Sequence, residues 1–377
     1  MNEPEKIVIV NQDSGYLMID LANVFHQAGY QVNVIAGRLV ERDKKLKHGV
    51  KFNKIIRYNK KTTFHRLLTW IVATIQIWFL LILKFKNHNI LLVSNPPLAP
   101  LLTLFIPNRS SVLIYDIFPD ALIDAGILKK QSIISTIWKK MNTKAYEKAN
   151  TVYTITDGMK QVLINYVSES KIKVVPIWID NEYLKPVAIH DNLFIQKYNL
   201  TGKFVVLYAG NLGKTGDVEC MIELAKNTHD TDIQYLIVGD GVKREAIEKL
   251  IAEQRLTNCM LLPWQSAEMF PHSLSAASLS VVSLGKNTSK IAMPSKLYSY
   301  LAVGSPVLSL AAEGSELAKL VNYYEVGRNF EPEKTDDIVK FIVSLKCDTT
   351  QYLNFRSNSL TASKNYTQKN ALYFLNK

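Results

Sequence analysis

The chain has 377 residues, which is too long for one ordinary domain and fits two domains of about 150–200 residues each. Apolar residues make up 47% and charged residues 21%, a globular composition that excludes a disordered chain and a coiled coil. The three cysteines are scattered without metal-ligand spacing, so we expect a reducing compartment and no metal site.

The net charge of +12 is concentrated in the first part of the sequence. Residues 1–150 contain 21 Lys/Arg against 10 Asp/Glu, whereas the remaining residues contain 24 against 23. Between Lys44 and Tyr115 there are 12 basic residues and no acidic one. This asymmetry predicts an anionic partner for the first half. The sequence contains no zinc, helix-turn-helix or aromatic RNA-binding signature, so we do not expect that partner to be nucleic acid.

The first half begins with a strand–turn–helix–strand pattern, which is typical of a doubly wound α/β sheet. The opening strand is predicted at Lys6–Asn11, and a turn containing Ser14 and Gly15 leads into a helix that runs to about His26. The acidic first residues enter this strand directly and lack a signal-peptide pattern, so we expect a cytoplasmic protein. Further strands are predicted at Gln31–Ala36, Asn89–Ser94, Ser111–Asp116, Thr151–Thr156 and Ile172–Pro176, with a helix at Ile133–Lys148.

One segment of the first half, Leu67–Leu83, is unusually apolar and contains 17 residues without a charge. It is slightly short for a membrane span, which needs about 20 residues. Three interpretations stay open: a buried core helix, a helix lying in the membrane interface, and a span. The acid-free basic flanks favour peripheral binding to the anionic inner face of the cell membrane. The predicted membrane contacts are Lys60, Lys61, Arg66, Trp70, Trp78, Lys84 and Lys86.

The strand–turn–helix pattern restarts after Pro176. Strands are predicted at Lys203–Ala209, Ile233–Val238, Met260–Leu262, Leu279–Ser283 and Pro306–Leu310, with helices around Val218–Lys226 and up to about Gln254. The sequence therefore predicts two α/β domains, residues 1–180 and 181–359, with a C-terminal helix at about 360–377 packing back on the first. Ligands of such sheets bind outside the carboxyl ends of the strands.

Two turns in the second half have the chemistry of an anion site. The first, Gly210-Asn211-Leu212-Gly213-Lys214, follows a strand, and its glycines allow close backbone approach. The second, Pro294-Ser295-Lys296, opens a helix whose first N–H groups are available to an anion. Each turn contributes one lysine, so together they predict a diphosphate-binding site.

Two other motifs are poor candidates for sites. Gly213-Lys214-Thr215 resembles the end of a P-loop, but Tyr208 stands where the earlier glycine of that loop belongs. Asp230-Thr231-Asp232 has the carboxylate spacing of a metal motif, but it precedes a strand and so falls at the wrong end of the sheet.

Several motifs, in order and spacing, resemble the family-4 glycosyltransferases of GT-B fold, especially the branch that assembles bacterial surface polysaccharides. In the second half these are Tyr208-Ala-Gly-Asn-Leu-Gly-Lys, Val238-Gly-Asp-Gly, Leu262-Pro-Trp-Gln and Pro294-Ser-Lys-Leu-Tyr-Ser-Tyr-Leu-Ala-Val-Gly-Ser-Pro-Val. In the first half they are Ser94-Asn-Pro-Pro-Leu, Asp116-Ile-Phe-Pro-Asp, Thr156-Asp-Gly-Met-Lys and Val175-Pro-Ile-Trp-Ile-Asp. The resemblance implies two Rossmann-like domains facing across a cleft.

The resemblance further implies a retaining transfer of a hexosyl or N-acetylhexosaminyl group from a nucleotide-diphosphate sugar, with a UDP-sugar favoured and no metal or other cofactor. The implied acceptor is a polyprenyl-diphosphate-linked glycan. The sequence departs from the family at two positions where glutamates are common, which are Ile291 and Ser299 here, and Asn211 replaces a common arginine. The expected donor contacts are Ser14, Gly15, Gly210, Asn211, Lys214, Gly239, Pro294, Ser295, Lys296, Tyr298 and Ser299.

Two carboxylates end a predicted strand of the first half and are the catalytic candidates. Asp116 and Asp120 stand where this strand reaches the site edge of the sheet, although Asp120 could equally cap the next helix. A carboxylate here can orient an acceptor hydroxyl or take its proton. Two alternatives stay open: a nucleotide-sugar epimerase of the same fold, and a non-catalytic GT-B partner subunit, which the missing glutamates at Ile291 and Ser299 suggest.

Overall fold

The protein consists of two parallel α/β units, which confirms the predicted fold class. The computed structural model describes residues 4–41, 44–124, 126–213, 216–228, 232–285 and 291–375. Unit 1 comprises residues 1–178 and 368–377, and unit 2 comprises residues 179–367.

Unit 1 is built on a parallel sheet with the strand order β5-β3-β1-β6-β7-β8-β9. Its strands are β1 (Lys6–Val10), β2 (Asp13–Ser14), β3 (Gln31–Ala36), β4 (Arg38–Leu39), β5 (Lys51–Lys54), β6 (Asn89–Val93), β7 (Ser110–Ile114), β8 (Val152–Thr154) and β9 (Ile172–Val174), of which β2 and β4 form a separate pair. Its helices are α1 (Tyr16–Gln27), α2 (Thr63–Leu83), α3 (Asp120–Asp124), α4 (Ile133–Lys148) and α5 (Asp157–Leu163). Short 3₁₀ helices span Ala99–Leu104, Glu169–Lys171 and Gln368–Phe374.

The central strand β1 fixes where a ligand can bind in unit 1. It pairs with β3 on one side and with β6 on the other, so the chain order reverses between β1 and β6. The continuous apolar run of β1 is buried, as expected for a strand covered on both faces. Beyond the carboxyl ends of β1 and β6 lies the topological switch point at which open α/β sheets bind their ligands.

Helix α2 contains the apolar segment, and only one of its faces is buried. Thr69, Trp70, Ala73, Ile77 and Leu81 recur at three- and four-residue spacing and form the buried face. The exposed apolar face of α2 consists of Phe64, Leu67, Leu68, Ile71, Ile75, Phe79 and Leu83, each at least 45% exposed. The interpretation of this segment as a fully buried core helix is therefore wrong.

The polar residues of α2 bind the segment that precedes it. The Gln76 side chain accepts a hydrogen bond from the Ile56 backbone N–H at 2.8 Å, and the Thr69 hydroxyl accepts one from the Asn59 backbone N–H at 3.3 Å. The buried Gln12 side chain donates to the carbonyl oxygens of Ile56 and Thr69 at 3.2 and 3.0 Å. These bonds hold residues 55–61 between the end of β1 and α2.

Unit 2 repeats the architecture with a parallel sheet in the order β12-β11-β10-β13-β14-β15. Its strands are β10 (Phe204–Ala209), β11 (Ile233–Val238), β12 (Cys259–Leu262), β13 (Leu279–Ser283), β14 (Val307–Leu310) and β15 (Gly327–Phe330). Its helices are α6 (Leu193–Lys197), α7 (Cys220–Asn227), α8 (Arg244–Glu253), α9 (Met269–Ser275), α10 (Lys296–Ala302), α11 (Glu316–Tyr323), α12 (Thr335–Cys347) and α13 (Thr349–Ser363), with a 3₁₀ helix at Ile189–Asp191. Here the order reverses between β10 and β13, so the switch point follows β10.

The C-terminal residues divide between the two units. Helix α13 packs on α10 and α12 of unit 2, whereas the 3₁₀ helix at Gln368–Phe374 packs on α1 of unit 1. Within unit 1, the Phe374 ring lies 4.5 Å from that of Tyr153, measured between centroids.

The two faces of α2 give a matched pair of substitutions. Ile77→Ala removes a fully buried side chain and should lower the free energy of unfolding of unit 1 by about 2–4 kcal/mol. Ile75→Ala makes the same chemical change on the exposed face and should cost less than about 0.5 kcal/mol. Urea unfolding followed by tryptophan fluorescence measures the difference, because four of the five tryptophans belong to unit 1. Equal losses in the two variants would contradict this orientation of α2.

Candidate functional site

Two backbone turns interlock at the switch point of unit 2. Gly210 follows β10 with φ of +150°, and Gly239 follows β11 with φ of +151°. A Cβ atom on Gly239 would lie 1.9 Å from the Gly210 carbonyl oxygen, so no residue but glycine fits there without movement of the backbone. The close packing of the two turns therefore requires glycine at this position, and the donor contact predicted for Gly239 stays a prediction.

Tyr300 of α10 fixes the end of β10 from behind. Its buried hydroxyl accepts a hydrogen bond from the Ala209 backbone N–H at 2.9 Å and donates one to the Ala209 carbonyl oxygen at 3.2 Å. This pair of bonds ties α10 to the residue immediately before Gly210. The first residue of α10, Lys296, is thereby held beside the turn.

Lys296 brings a positive charge to the Gly210 turn. Its Nζ atom lies 3.4 Å from the centroid of the Tyr208 ring and 2.7 Å from the position that a Cβ atom on Gly210 would occupy. Burial lowers the pKa of the Lys296 ammonium group to about 7, and the nearby Cys220 opposes this shift. No carboxylate among the described residues forms an ion pair with Lys296, so the site is poised to accept an anion.

The other predicted donor residues fall into three groups. Asn211 and Ser295 are exposed, and Pro294 and Ser299 are half-buried beside Lys296 in the sequence, so these four remain available to a ligand. Tyr298 is buried, and its ring packs 4.6 Å from that of Tyr366 of unit 2, which corrects its predicted donor contact. Lys214 lies outside the described residues.

In unit 1 a cavity of about 340 Å³ lies beyond the carboxyl ends of β1 and β6. We call it the aromatic pocket, because Tyr16, Tyr58, Trp70, Tyr115 and Phe118 contribute to its wall. The Tyr58 and Trp70 rings stack with their centroids 5.6 Å apart, and the Arg66 side chain donates to the Tyr58 hydroxyl at 2.9 Å. Flat apolar surface combined with a few polar groups suits a carbohydrate or another ring-shaped ligand.

Asp116 supplies a carboxylate to the aromatic pocket. The Ser94 hydroxyl accepts hydrogen bonds from the backbone N–H groups of Tyr115 and Asp116 at 3.0 and 3.3 Å, which fixes the backbone there. Asp116 is an exposed residue that lies in a concave wall, and desolvation raises the pKa of its carboxyl group above the ordinary value. No cation among the described residues forms an ion pair with it, so it is free to receive a hydroxyl group.

Asp120 has a structural role, which corrects its predicted part in catalysis. One carboxylate oxygen accepts a hydrogen bond from the Lys139 ammonium group of α4, and the other accepts one from the Tyr166 hydroxyl. Both oxygens are therefore engaged in joining the start of α3 to its neighbours. Asp116 is left as the catalytic candidate.

The predicted turn of the first half contains Ser14 and Gly15, and only Gly15 is accessible to a ligand. Ser14 is 1% exposed, and its hydroxyl donates to the Asn11 carbonyl oxygen at 2.8 Å, which corrects its predicted donor contact. Gly15 lines the aromatic pocket and precedes α1, with open space where a Cβ atom would be. It remains available to a ligand.

The predicted membrane residues are also divided by the structure. Trp70 is 7% exposed and lines the aromatic pocket, which corrects its predicted membrane contact. Arg66 also lines the pocket but is only half-buried, so its predicted membrane contact stays a prediction. The Trp78 indole N–H donates to the Phe105 carbonyl oxygen at 3.2 Å. The four lysines in the prediction, Lys60, Lys61, Lys84 and Lys86, are exposed at the two ends of α2.

The described residues contain no group of three or more His, Cys, Asp and Glu side chains that could hold a metal ion. One helix in the described part of the chain, Thr63–Leu83, is long and apolar enough to cross a membrane, and 28% of its most apolar window is buried.

Comparison with known proteins identifies the chemistry. Residues 191–361 match the family described as glycosyl transferases group 1. The probable glycosyltransferase WbjE of Pseudomonas aeruginosa is 24% identical over 300 residues, which cover 77% of this chain and 74% of the relative. The chain is a glycosyltransferase. This result favours the transferase over the epimerase and the non-catalytic subunit.

This glycosyltransferase is also similar to a second sequence relative and to a solved structure. The putative colanic acid biosynthesis glycosyl transferase WcaI of Escherichia coli K12 is 26% identical over 210 residues, covering 55% of this chain and 47% of the relative. The crystal structure of Anabaena HepE in complex with UDP superposes with a TM-score of 0.72 at 14% identity and covers 98% of both chains. The structural likeness confirms the GT-B fold.

Proposed function

We propose that this glycosyltransferase moves a hexosyl or N-acetylhexosaminyl group from a nucleoside-diphosphate sugar, with a UDP-sugar favoured, to a polyprenyl-diphosphate-linked glycan. The observation that carries the proposal is Lys296, a half-buried cation without a carboxylate partner among the described residues, held against the Gly210 turn at the switch point of unit 2. The UDP bound to HepE and the colanic acid pathway in WcaI's name support a nucleotide donor and a role in bacterial surface polysaccharide synthesis.

In this proposal the donor diphosphate lies against the Gly210 turn, with one of its oxygens on the Lys296 ammonium group. As the bond between the anomeric carbon and the phosphate oxygen breaks, negative charge grows on the diphosphate. A cation fixed in a desolvated position stabilises that charge strongly. Lys296 thereby does what a divalent metal ion does in other transferases, so we propose a metal-independent transfer. We also propose that the transfer retains the anomeric configuration.

On the acceptor side, we propose that Asp116 accepts a hydrogen bond from the acceptor hydroxyl in the aromatic pocket. The hydroxyl oxygen forms the new bond to the anomeric carbon, and its proton passes to the leaving diphosphate. Asp116 therefore orients the acceptor oxygen and does not need to keep the proton. Desolvation raises the pKa of Asp116. As the pH falls, its carboxylate is therefore protonated, and loses this role, at a higher pH than an ordinary aspartate.

We further propose that the protein is cytoplasmic and binds the inner face of the cell membrane through the exposed apolar face of α2. Lysines stand at both ends of that face, and the sequence from Lys44 to Tyr115 contains no acidic residue. Anionic headgroups attract such lysines by about 1 kcal/mol each. Because the opposite face of α2 is packed against unit 1, we propose a helix lying in the interface and not a span.

The donor site is tested by the pH dependence of UDP binding. Lys296→Ala should weaken binding by about 10–100-fold at pH 6, where the lysine is protonated and forms a charge-assisted contact. Because the pKa of Lys296 is about 7, the lysine loses its charge as the pH rises to 8.5. The ratio of the dissociation constants of variant and parent should therefore shrink by about tenfold or more. Isothermal titration calorimetry measures both affinities, and the ionisation of UDP cancels in the ratio.

Lys340→Ala is the control for this experiment, because Lys340 is an exposed lysine on α12 of the same unit. Its UDP affinity should follow that of the parent at every pH. Equal UDP dissociation constants for Lys296→Ala and the parent at pH 6 would show that Lys296 does not bind the donor.

The acceptor role is tested by the two aspartates. Asp116→Asn should lower kcat for sugar transfer by about 100-fold or more with UDP affinity unchanged, because it removes the group that orients the acceptor. Asp120→Asn should mainly lower the melting temperature, since it weakens the contact with Lys139. Transfer is measured with a panel of nucleotide sugars and the membrane lipid fraction as the acceptor. Transfer at the parental rate by Asp116→Asn would contradict the assignment.

The membrane proposal is tested by cosedimentation with liposomes. The parent should bind vesicles containing about 30% phosphatidylglycerol and lose most of this binding at high salt, where screening weakens surface charge. Lys84→Glu with Lys86→Glu should weaken binding by about tenfold or more. Lys340→Glu with Lys364→Glu makes the same charge change on unit 2 and should have little effect. Equal recovery with anionic and neutral vesicles would reject membrane docking.

A further inference from the structure

Unit 1 contains a second cavity, of about 590 Å³, that is strongly basic. We call it the basic cavity. Its wall includes four cationic side chains, Arg38, Arg57, Lys60 and Lys61, and one carboxylate, Asp13. With these groups ionised, the cavity has a net charge of +3.

The cations of the basic cavity are not equivalent. Arg38 donates two hydrogen bonds to the Asp13 carboxylate at 2.7 and 3.0 Å, and the Lys60 ammonium group lies 3.4 Å from the same carboxylate. Arg57 and Lys61 form no ion pair with any described carboxylate. These two exposed cations are therefore available to an anionic ligand, and the Arg57 guanidinium group suits a phosphate because it can donate two parallel hydrogen bonds.

The basic cavity adjoins the aromatic pocket, with which it shares Asp13 and Tyr58. Its wall also includes Thr69 of α2, whose hydroxyl accepts the hydrogen bond from the Asn59 backbone N–H. The cavity thus contacts α2, the helix that exposes the apolar face, and adjoins the pocket that contains Asp116. A molecule with a hydrocarbon end, an anionic middle and a sugar end has groups that match α2, the basic cavity and the aromatic pocket.

We propose that the basic cavity binds the diphosphate of the acceptor lipid, with Arg57 and Lys61 as its main contacts. The hydrocarbon chain then lies on the exposed apolar face of α2, and the glycan extends into the aromatic pocket towards Asp116. This inference rests on the proposed function, because it assigns a place to the diphosphate of the proposed acceptor. Net charge also supports it, since the diphosphate linkage of such a lipid has two negative charges, against three net positive charges in the cavity.

The test uses geranyl diphosphate, a short and soluble isoprenyl diphosphate, in calorimetric titrations. The double variant Arg57→Gln with Lys61→Gln should bind it at least about tenfold more weakly than the parent, as expected for the loss of two charge-assisted contacts. The matched control is Lys51→Gln with Lys54→Gln. These exposed lysines belong to the same basic stretch, on β5, but neither lines the cavity. The control should change the affinity less than about threefold. Equal losses in the two double variants would overturn the proposal, because they would indicate general surface charge.

Two further arms separate this site from other phosphate sites. Lys296→Ala should bind geranyl diphosphate like the parent. If this substitution abolishes binding, the probe occupies the donor site and the proposal fails. Cosedimentation with phosphatidylglycerol vesicles should fall to the same extent in the cavity variant and in the control pair. A loss specific to the cavity variant in this assay, without one for geranyl diphosphate, would assign the cavity to phospholipid headgroups and overturn the proposal.

Failure of the proposed function has a different signature. If the parent does not bind UDP but still binds geranyl diphosphate through Arg57 and Lys61, the donor assignment is wrong and the basic cavity stands. If UDP binds as proposed and geranyl diphosphate binding does not depend on these two residues, the donor assignment stands and the basic cavity is rejected.

Discussion

The Tyr300 hydroxyl makes two hydrogen bonds to the backbone of Ala209, and the proposed donor site of unit 2 depends on this contact. A buried hydroxyl that both donates and accepts is fully satisfied, so the contact is stable and directional. It joins α10 to the end of β10, and Lys296 comes to rest on Gly210 as a result. Burial also lowers the pKa of the Lys296 ammonium group. An anionic ligand should therefore bind most tightly at a pH at which the lysine is protonated.

In unit 1 the corresponding constraint comes from Gln12. Its buried side chain bridges the end of β1 to the carbonyl oxygens of Ile56 and Thr69. The bridge places α2 and the basic segment before it around the switch point of the sheet. One helix can therefore support a cavity wall on one side and expose an apolar face on the other. The proposed path of the acceptor lipid follows from this single arrangement.

The sequence predicts the central strands well and the site only in part. Strands such as β3, β11 and β13 are mostly apolar and almost entirely buried, and their bounds are predicted correctly. The edge strands β5 and β15 are missed because their sequences, Lys51–Lys54 and Gly327–Phe330, are polar and short, as edges of sheets often are. The turn at Gly210 and the position of Lys296 were predictable from glycines and a lysine after strands. The contact of Asp120 with Lys139 was not, because partners distant in sequence leave no local pattern. The burial of Trp70 could be predicted, because its three- and four-residue spacing with Ala73 and Ile77 places all three on one face of the helix.

A crystal structure of the protein with UDP tests the central claim most directly. We predict a β-phosphate oxygen at about 3 Å from the Lys296 Nζ atom, with the diphosphate against the backbone at Gly210. Crystals of Lys296→Ala in the same crystal form, soaked at the same UDP concentration, should show the diphosphate at lower occupancy than crystals of the parent. A diphosphate bound away from both residues, with Lys296 still packed on the Tyr208 ring, would contradict the account.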